Sequence, residues 1–175
     1  VKLAEMELRR PRALGHYWLG CEWWRRLGLE AFGAARLGEG REEVSWAKVL
    51  ELLVVSRLVS PGSEFRLHRQ GFDQSAMGDL LGTGFAVAEK DRLYRCLDRI
   101  LPHKAALFAH LRQRWQELFQ ARFDVLLYDL TSTYLEGEGE AIPKAQHGYR
   151  RDHRSDCVQV VIALVVTPEG FPLAY

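Results

Sequence analysis

Two hydrophobic periods divide this chain. From residue 13 to about residue 120, apolar side chains recur at the three-to-four spacing of amphipathic helices. Leu14, Tyr17, Trp18, Cys21, Trp24 and Leu27 predict a helix over 13–27, and a shorter one follows Gly28 over 30–37. A stronger helix is predicted over 45–59, with Ala47, Leu50, Leu53, Val54 and Leu58 as its buried stripe and Pro61-Gly62 as its stop. Ser63 is placed to cap a short helix carrying Phe65 and Leu67. The glycine-richer stretch 70–87 reads as a loop with one helical piece near 75–81. Two helices follow, over 88–101 with Leu93, Leu97 and Ile100 inward, and over 103–120 with Leu107, Leu111, Trp115 and Leu118 as its stripe. After Ala121 the pattern changes to strand-like runs at 123–136, 157–167 and 171–175, with Pro168-Glu169-Gly170 as the last turn. The predicted class is therefore α/β in the loose sense. A helical region, 1–121, precedes a meander of three antiparallel strands, 122–175. Three strands with no helix over them do not close a core, so the pattern reads as a fold cut off part-way.

One residue breaks the first strand. Asp129 lies in Val125-Leu-Leu-Tyr-Asp-Leu130, where packing alone selects valine or isoleucine. A carboxylate inside a buried strand is costly unless it is paired or binds a metal, so Asp129 is expected to be buried and to act as a metal ligand. No second carboxylate is placed to share that metal. Glu136 is an odd seven positions away, on the opposite face and ~23 Å along the strand. Asp124 fails on face and distance. Pairing about the 137–156 connection sets Ala163 opposite Asp129, while Asp152 and Asp156 belong to or adjoin the connection.

Composition narrows the partners. The chain has 175 residues and is 47% hydrophobic, which supports a core in one ordinary domain or two small ones. Its net charge of +1 excludes a bulk electrostatic case for nucleic acid, so any such contact must be local. Cys21, Cys96 and Cys157 are far apart and odd in number, which reads as buried thiols in a reducing compartment rather than a disulfide framework. No apolar run reaches the ~18 residues that a membrane span needs. No phosphate-binding glycine loop is present, because Gly78…Gly84 lacks the Lys-Ser/Thr pair.

Several motifs occur in one order: Tyr128-Asp-Leu-Thr-Ser-Thr-Tyr-Leu-Glu136, Gly148-Tyr-Arg-Arg-Asp-His-Arg-Ser-Asp156, Gln159-Val-Val-Ile-Ala-Leu-Val-Val-Thr167 and Glu169-Gly-Phe-Pro-Leu-Ala174. Pro61-Gly-Ser-Glu-Phe-Arg-Leu-His68 and Glu89-Lys-Asp-Arg-Leu-Tyr-Arg-Cys96 extend the likeness upstream. This order resembles the DDE-type insertion-sequence transposases of the group called insertion-sequence family four. The resemblance implies the opening of an RNase H-like catalytic domain, with the rest of that domain downstream. It implies DNA-end cleavage and strand transfer by two Mg²⁺ (or Mn²⁺) ions, with Asp129 as the first catalytic metal ligand and two further carboxylates outside this chain. This polypeptide alone is then expected to be inactive. The implied partners are the DNA of the element ends and target, with a possible homodimer, in a bacterial cytoplasm close to the nucleoid. The helical region would carry end recognition or dimer contacts.

Around that strand the other candidates keep two readings each. Lys144, His147, Arg150, Arg151, His153 and Arg154 either grip DNA phosphates or decorate a solvated hairpin loop. Thr131, Ser132 and Thr133 orient a phosphate or carboxylate, or simply favour a strand. The five tryptophans stack on bases or pack at helical spacing. Arg9, Arg10 and Arg12 form a minor-groove arm or a solvated terminus. Two other functions share the same residues: a non-catalytic DNA-binding or inhibitory transposase fragment, and an RNase H-like nuclease.

Overall fold

A computed structural model describes residues 11–38, 44–124, 126–135, 142–147 and 157–175. The chain divides into two compact units, Val1–Leu107 and Phe108–Tyr175.

The first unit is helical. Its elements are α1 (Gly15–Arg26), α2 (Leu29–Leu37), α3 (Trp46–Val59), the short α4 (Glu64–Arg66) and α5 (Phe72–Gln74) joined by a π turn at Leu67–Gly71, α6 (Met77–Leu81) and α7 (Lys90–Ile100). The Ser45 hydroxyl starts α3 by accepting the Ala47 amide at 3.3 Å, and the Ser63 hydroxyl starts α4 by accepting the Arg66 amide at 3.2 Å. α3 is the central helix, packed against α1, α2 and α7. Apolar residues on nearly every side of it explain this position. Val49, Leu52 and Val55 are its deepest residues.

Surrounding α3 in this way corrects the predicted stripe. Ala47, Leu50 and Leu53 are buried, but Val54 and Leu58 are exposed. On α7, Leu93 and Cys96 are buried while Leu97 is exposed. Gly20 lets α1 approach α3: a Cβ built there would lie 2.7 Å from Val55 Cγ1. The lead-in is tied down as well. Ala13 exchanges backbone hydrogen bonds with Gln74 and Ala76 at 3.2 and 3.0 Å, and Arg12 pairs with Asp79 at 2.6 Å. Arg12 is therefore held on the protein, whereas Arg9 and Arg10 lie outside the described residues.

α8 (Lys104–Phe119) begins at the end of the first unit, and most of it belongs to the second. There it meets a sheet of β1 (Leu127–Leu135), β2 (Val158–Val166) and β3 (Pro172–Ala174) in the order β1-β2-β3, antiparallel throughout. The meander matches the expected order of strands. Thr167 builds the β2–β3 turn: its carbonyl accepts the Gly170 amide at 2.9 Å and its hydroxyl the Phe171 amide at 3.3 Å. Gly170 has φ +92°, a conformation that glycine adopts without steric cost. The helix is clamped to β3 by aromatic contact. Phe171 stacks on Trp115 and Phe119 at centroid distances of 5.1 and 5.0 Å, and the Trp115 indole N–H donates to the Pro172 carbonyl at 3.2 Å. Trp115 is buried, but Leu118 of the predicted stripe is exposed.

Candidate functional site

The β1–β2 register defines the surroundings of Asp129. Leu164 faces it across the ladder, and Ala163 faces Leu130. The expected partner, Ala163, is off by one position and lies on the other face of the sheet; equal steps outward from the 137–156 connection lead to Leu164, as observed. Cross-strand partners share a face. Asp129 therefore lies on the face formed by Leu127, Thr131 and Thr133 of β1 with Ile162, Leu164 and Val166 of β2. The opposite face carries Tyr128, Leu130 and Tyr134 with Val161, Ala163 and Val165. Both faces are mostly apolar, with Thr131 and Thr133 on the first and Ser132 and Gln159 on the second. Asp129 is the single acidic or basic side chain among the described residues of the three strands.

The expectation of a buried carboxylate is not met. Asp129 is exposed, and so are the apolar residues beside it: Tyr128 is 71% exposed, and Leu127, Leu130, Ile162 and Leu164 are exposed as well. The physical reason is the placement of α8, which grips β3 and Phe171 at one edge of the sheet while β1 forms the other. An antiparallel sheet that faces water on one side alternates apolar and polar residues. β2, Val-Gln-Val-Val-Ile-Ala-Leu-Val-Val, does not alternate. The Asp129 carboxylate makes no hydrogen bond or ion pair in the described structure.

The other predicted residues do not gather around it. Asp124 is exposed and ion-paired with Arg122 at 3.2 Å. Glu136, Asp152 and Asp156 lie outside the described residues, as do Arg150, Arg151, His153 and Arg154. Lys144 and His147 are exposed on a segment that Gln146 anchors to Gln159 of β2 by two 3.0 Å backbone bonds. Gln159 is five residues from Leu164, so this segment joins the sheet about 17 Å along β2 from the Asp129 position. Among the described residues, no group of three or more His, Cys, Asp or Glu side chains is arranged to hold a metal. One carboxylate does not make a two-cation centre, so the residues present do not fit that group by themselves. Thr131, Ser132 and Thr133 are exposed. Of the tryptophans, Trp24, Trp46 and Trp115 are buried, whereas Trp18 and Trp23 are exposed on α1.

A second acid in an apolar run was overlooked in the sequence. Glu51 stands between Leu50 and Leu52 on α3 and is 9% exposed. The signal was the same as that at Asp129, a lone carboxylate where the pattern asks for a hydrophobe. It borders a cavity of about 220 Å³ lined by Arg25, Glu30, Lys48 and Leu81. Desolvation raises its carboxyl above the ordinary range, and the nearby Glu30 charge adds to that, while the Cys21 thiol, Arg25 and Lys48 oppose it. Burial and the Glu51 charge push the Cys21 thiol up to about 12, and burial pushes Cys96 to about 12. Both thiols stay protonated at neutral pH and are poor nucleophiles.

No protein-family model, curated protein or solved structure matches this chain. Among the described residues, no helix is long and apolar enough to cross a membrane.

Proposed function

We propose that this chain belongs to a DNA transposase of the metal-dependent strand-transfer class, and that Asp129 is the one catalytic carboxylate it contributes. The observation that carries this reading is the isolation of Asp129. Among the described residues of three largely apolar strands it is the single charge, and it has no hydrogen bond or ion pair there that would explain it as a structural residue. An RNase H-like domain, with further layers over both faces of the sheet, accounts for strands that are apolar on both sides. Covered in that way, Asp129 would need a cation or a donor. The remaining carboxylates, and any Mg²⁺ or Mn²⁺ they help to hold, belong to segments outside these residues. Lys144, His147 and the basic residues at 150–154 remain candidates for phosphate contacts. The motif order of 128–174 supports the same class.

The test is the polypeptide extended through the reading frame downstream of residue 175, assayed for Mg²⁺-dependent cleavage and joining of element ends. Asp129→Asn is expected to remove activity by a factor of about 10³ or more, as loss of a group that stabilises transition-state charge does, with the fold retained. Activity that survives this substitution would refute the assignment.

The absence of a second carboxylate within reach of Asp129, among the described residues, favours one further reading of the polypeptide as it stands: a DNA-binding fragment that inhibits an intact enzyme. Mixing it with active transposase should then lower strand transfer in proportion to its concentration. No inhibition at a large excess counts against it.

A further inference from the structure

The link from α3 to α4, Ser60-Pro-Gly-Ser63, walls a small cavity that the chemistry at Asp129 does not use. The cavity measures about 30 Å³ and lies within the first unit, between α1, α3 and the π turn. Ser56 of α3 lines it, is 5% exposed, and has a hydroxyl with no hydrogen-bond partner among the described residues. A serine inside a helix ordinarily points to solvent or bonds the carbonyl one turn back. Ser56 does neither, and an unpaired buried hydroxyl calls for an occupant. Tyr17, Ser60 and Ser63 add hydroxyl side chains to the same wall. The Ser63 oxygen accepts the Arg66 amide at 3.2 Å, which leaves its O–H to donate.

We propose that this cavity binds a small tetrahedral oxyanion, with free inorganic phosphate as the type. Charge argues for an anion. Arg57 and Glu64 both line the cavity, but they neutralise each other as an ion pair. Arg66 lines it too and has no ion pair among the described residues, so the wall carries one uncompensated positive charge. Gly62 makes room for that side chain: a Cβ there would lie 3.1 Å from Arg66 Cδ and 3.7 Å from Nη1. A guanidinium with hydroxyl donors beside it is the donor set that an oxyanion takes. Burial raises the Tyr17 phenol above its ordinary value, so it too remains a donor at neutral pH. Size argues for a compact ion. The volume of about 30 Å³ exceeds the ~10–15 Å³ that one water needs, and it admits no sugar or base. The site lies within the first unit and does not rest on the reading of Asp129.

The experiment is calorimetric titration of the full chain with sodium phosphate, with thermal melts alongside and sodium chloride at equal ionic strength as the reference. Saturable binding is expected, with a rise in Tm that chloride does not give. Sulfate should compete. Ser56→Ala should raise the Tm in the absence of phosphate, because it removes the unpaired hydroxyl, and yet weaken phosphate binding about tenfold. Arg66→Gln should weaken binding about tenfold or more with helical circular dichroism unchanged, and Gly62→Ala should weaken it by displacing Arg66. Duplex DNA, which carries its phosphates between sugars, should not displace the free ion. No saturable binding, or a Tm shift that chloride reproduces, overturns the proposal and leaves the cavity to water. So does phosphate binding that Ser56→Ala and Arg66→Gln both leave unchanged. Displacement of phosphate by duplex DNA overturns the assignment to a free ion.

Discussion

Asp129→Val is expected to raise the stability of this chain, and the sign distinguishes a functional carboxylate from a structural one. The substitution breaks no hydrogen bond and no ion pair in the described structure. It replaces a poor strand former with a good one, on a scale that spans about 1 kcal/mol. It also sets a branched apolar group opposite Leu164, a cross-strand pairing that contributes about 0.2–1 kcal/mol. β1 is an edge strand with exposed side chains, so both gains are at the low end, and a net stabilisation of about 1 kcal/mol is the working figure. For a chain of this length that corresponds to a rise in Tm of about 2–4 °C. Urea unfolding followed by circular dichroism, with Asp129→Asn as the control of nearly equal volume, measures it. A fall in stability by 1 kcal/mol or more, on the order of one lost charged hydrogen bond, would mean that the carboxylate is engaged by the fold. The argument for a catalytic role would then lose its basis, because it rests on a residue that folding alone does not select.

Three other substitutions test the packing. Gly20→Ala adds a Cβ 2.7 Å from Val55 Cγ1, so overpacking of about 1–3 kcal/mol opposes a helix-propensity gain of about 1 kcal/mol. A double-mutant cycle with Val55→Ala should show a coupling of at least about 0.5 kcal/mol, and additive effects would refute the close approach. Gln120 ends α8 with φ +54°, while the Ala121 amide reaches back to the Trp115 carbonyl at 3.2 Å. Gln120→Gly should therefore stabilise by about 0.5–1 kcal/mol, and a lower midpoint in a thermal melt would count against that cap. Burial raises the folded-state pKa of Glu51 above its ordinary value of 4.5, so the folded chain holds this proton more tightly than the unfolded chain does. Its contribution is fully present below pH 4.5 and is lost as pH rises through the folded value. Glu51→Gln should raise the Tm at neutral pH and flatten this part of the pH profile, and an unchanged profile would place the carboxylate in water.

What could be read in advance follows from the range of the interactions. The cap at Ser63 and the turn at Pro168–Gly170 are set by neighbours a few residues apart, and the sequence places them correctly, whereas Ser45, read as the first residue of its helix, is the cap before it. The buried faces of α3 were harder. A helix apolar on nearly every side has no single stripe, and only its packing against α1, α2 and α7 decides that Val49 and Val55 are inside while Leu58 is out. Strand register was legible too: pairing β1 and β2 in equal steps outward from the 137–156 connection sets Leu164, not Ala163, opposite Asp129, and that is the register observed.

Asp129 and Glu51 carry the same lesson further. Each is an acid within an apolar run, yet the first is exposed without a partner and the second is buried beside a thiol and a polar cavity. A one-dimensional pattern identifies a carboxylate that local packing did not choose, but not the reason for it. At Glu51 the surroundings are complete: Cys21, Arg25, Glu30 and Lys48 already set its charge, and a neutral isostere should be tolerated. At Asp129 only the apolar frame is in place. A free carboxylate in such a frame has no stabilising role until something covers the sheet, and whatever covers it must bring positive charge or a hydrogen-bond donor to that point.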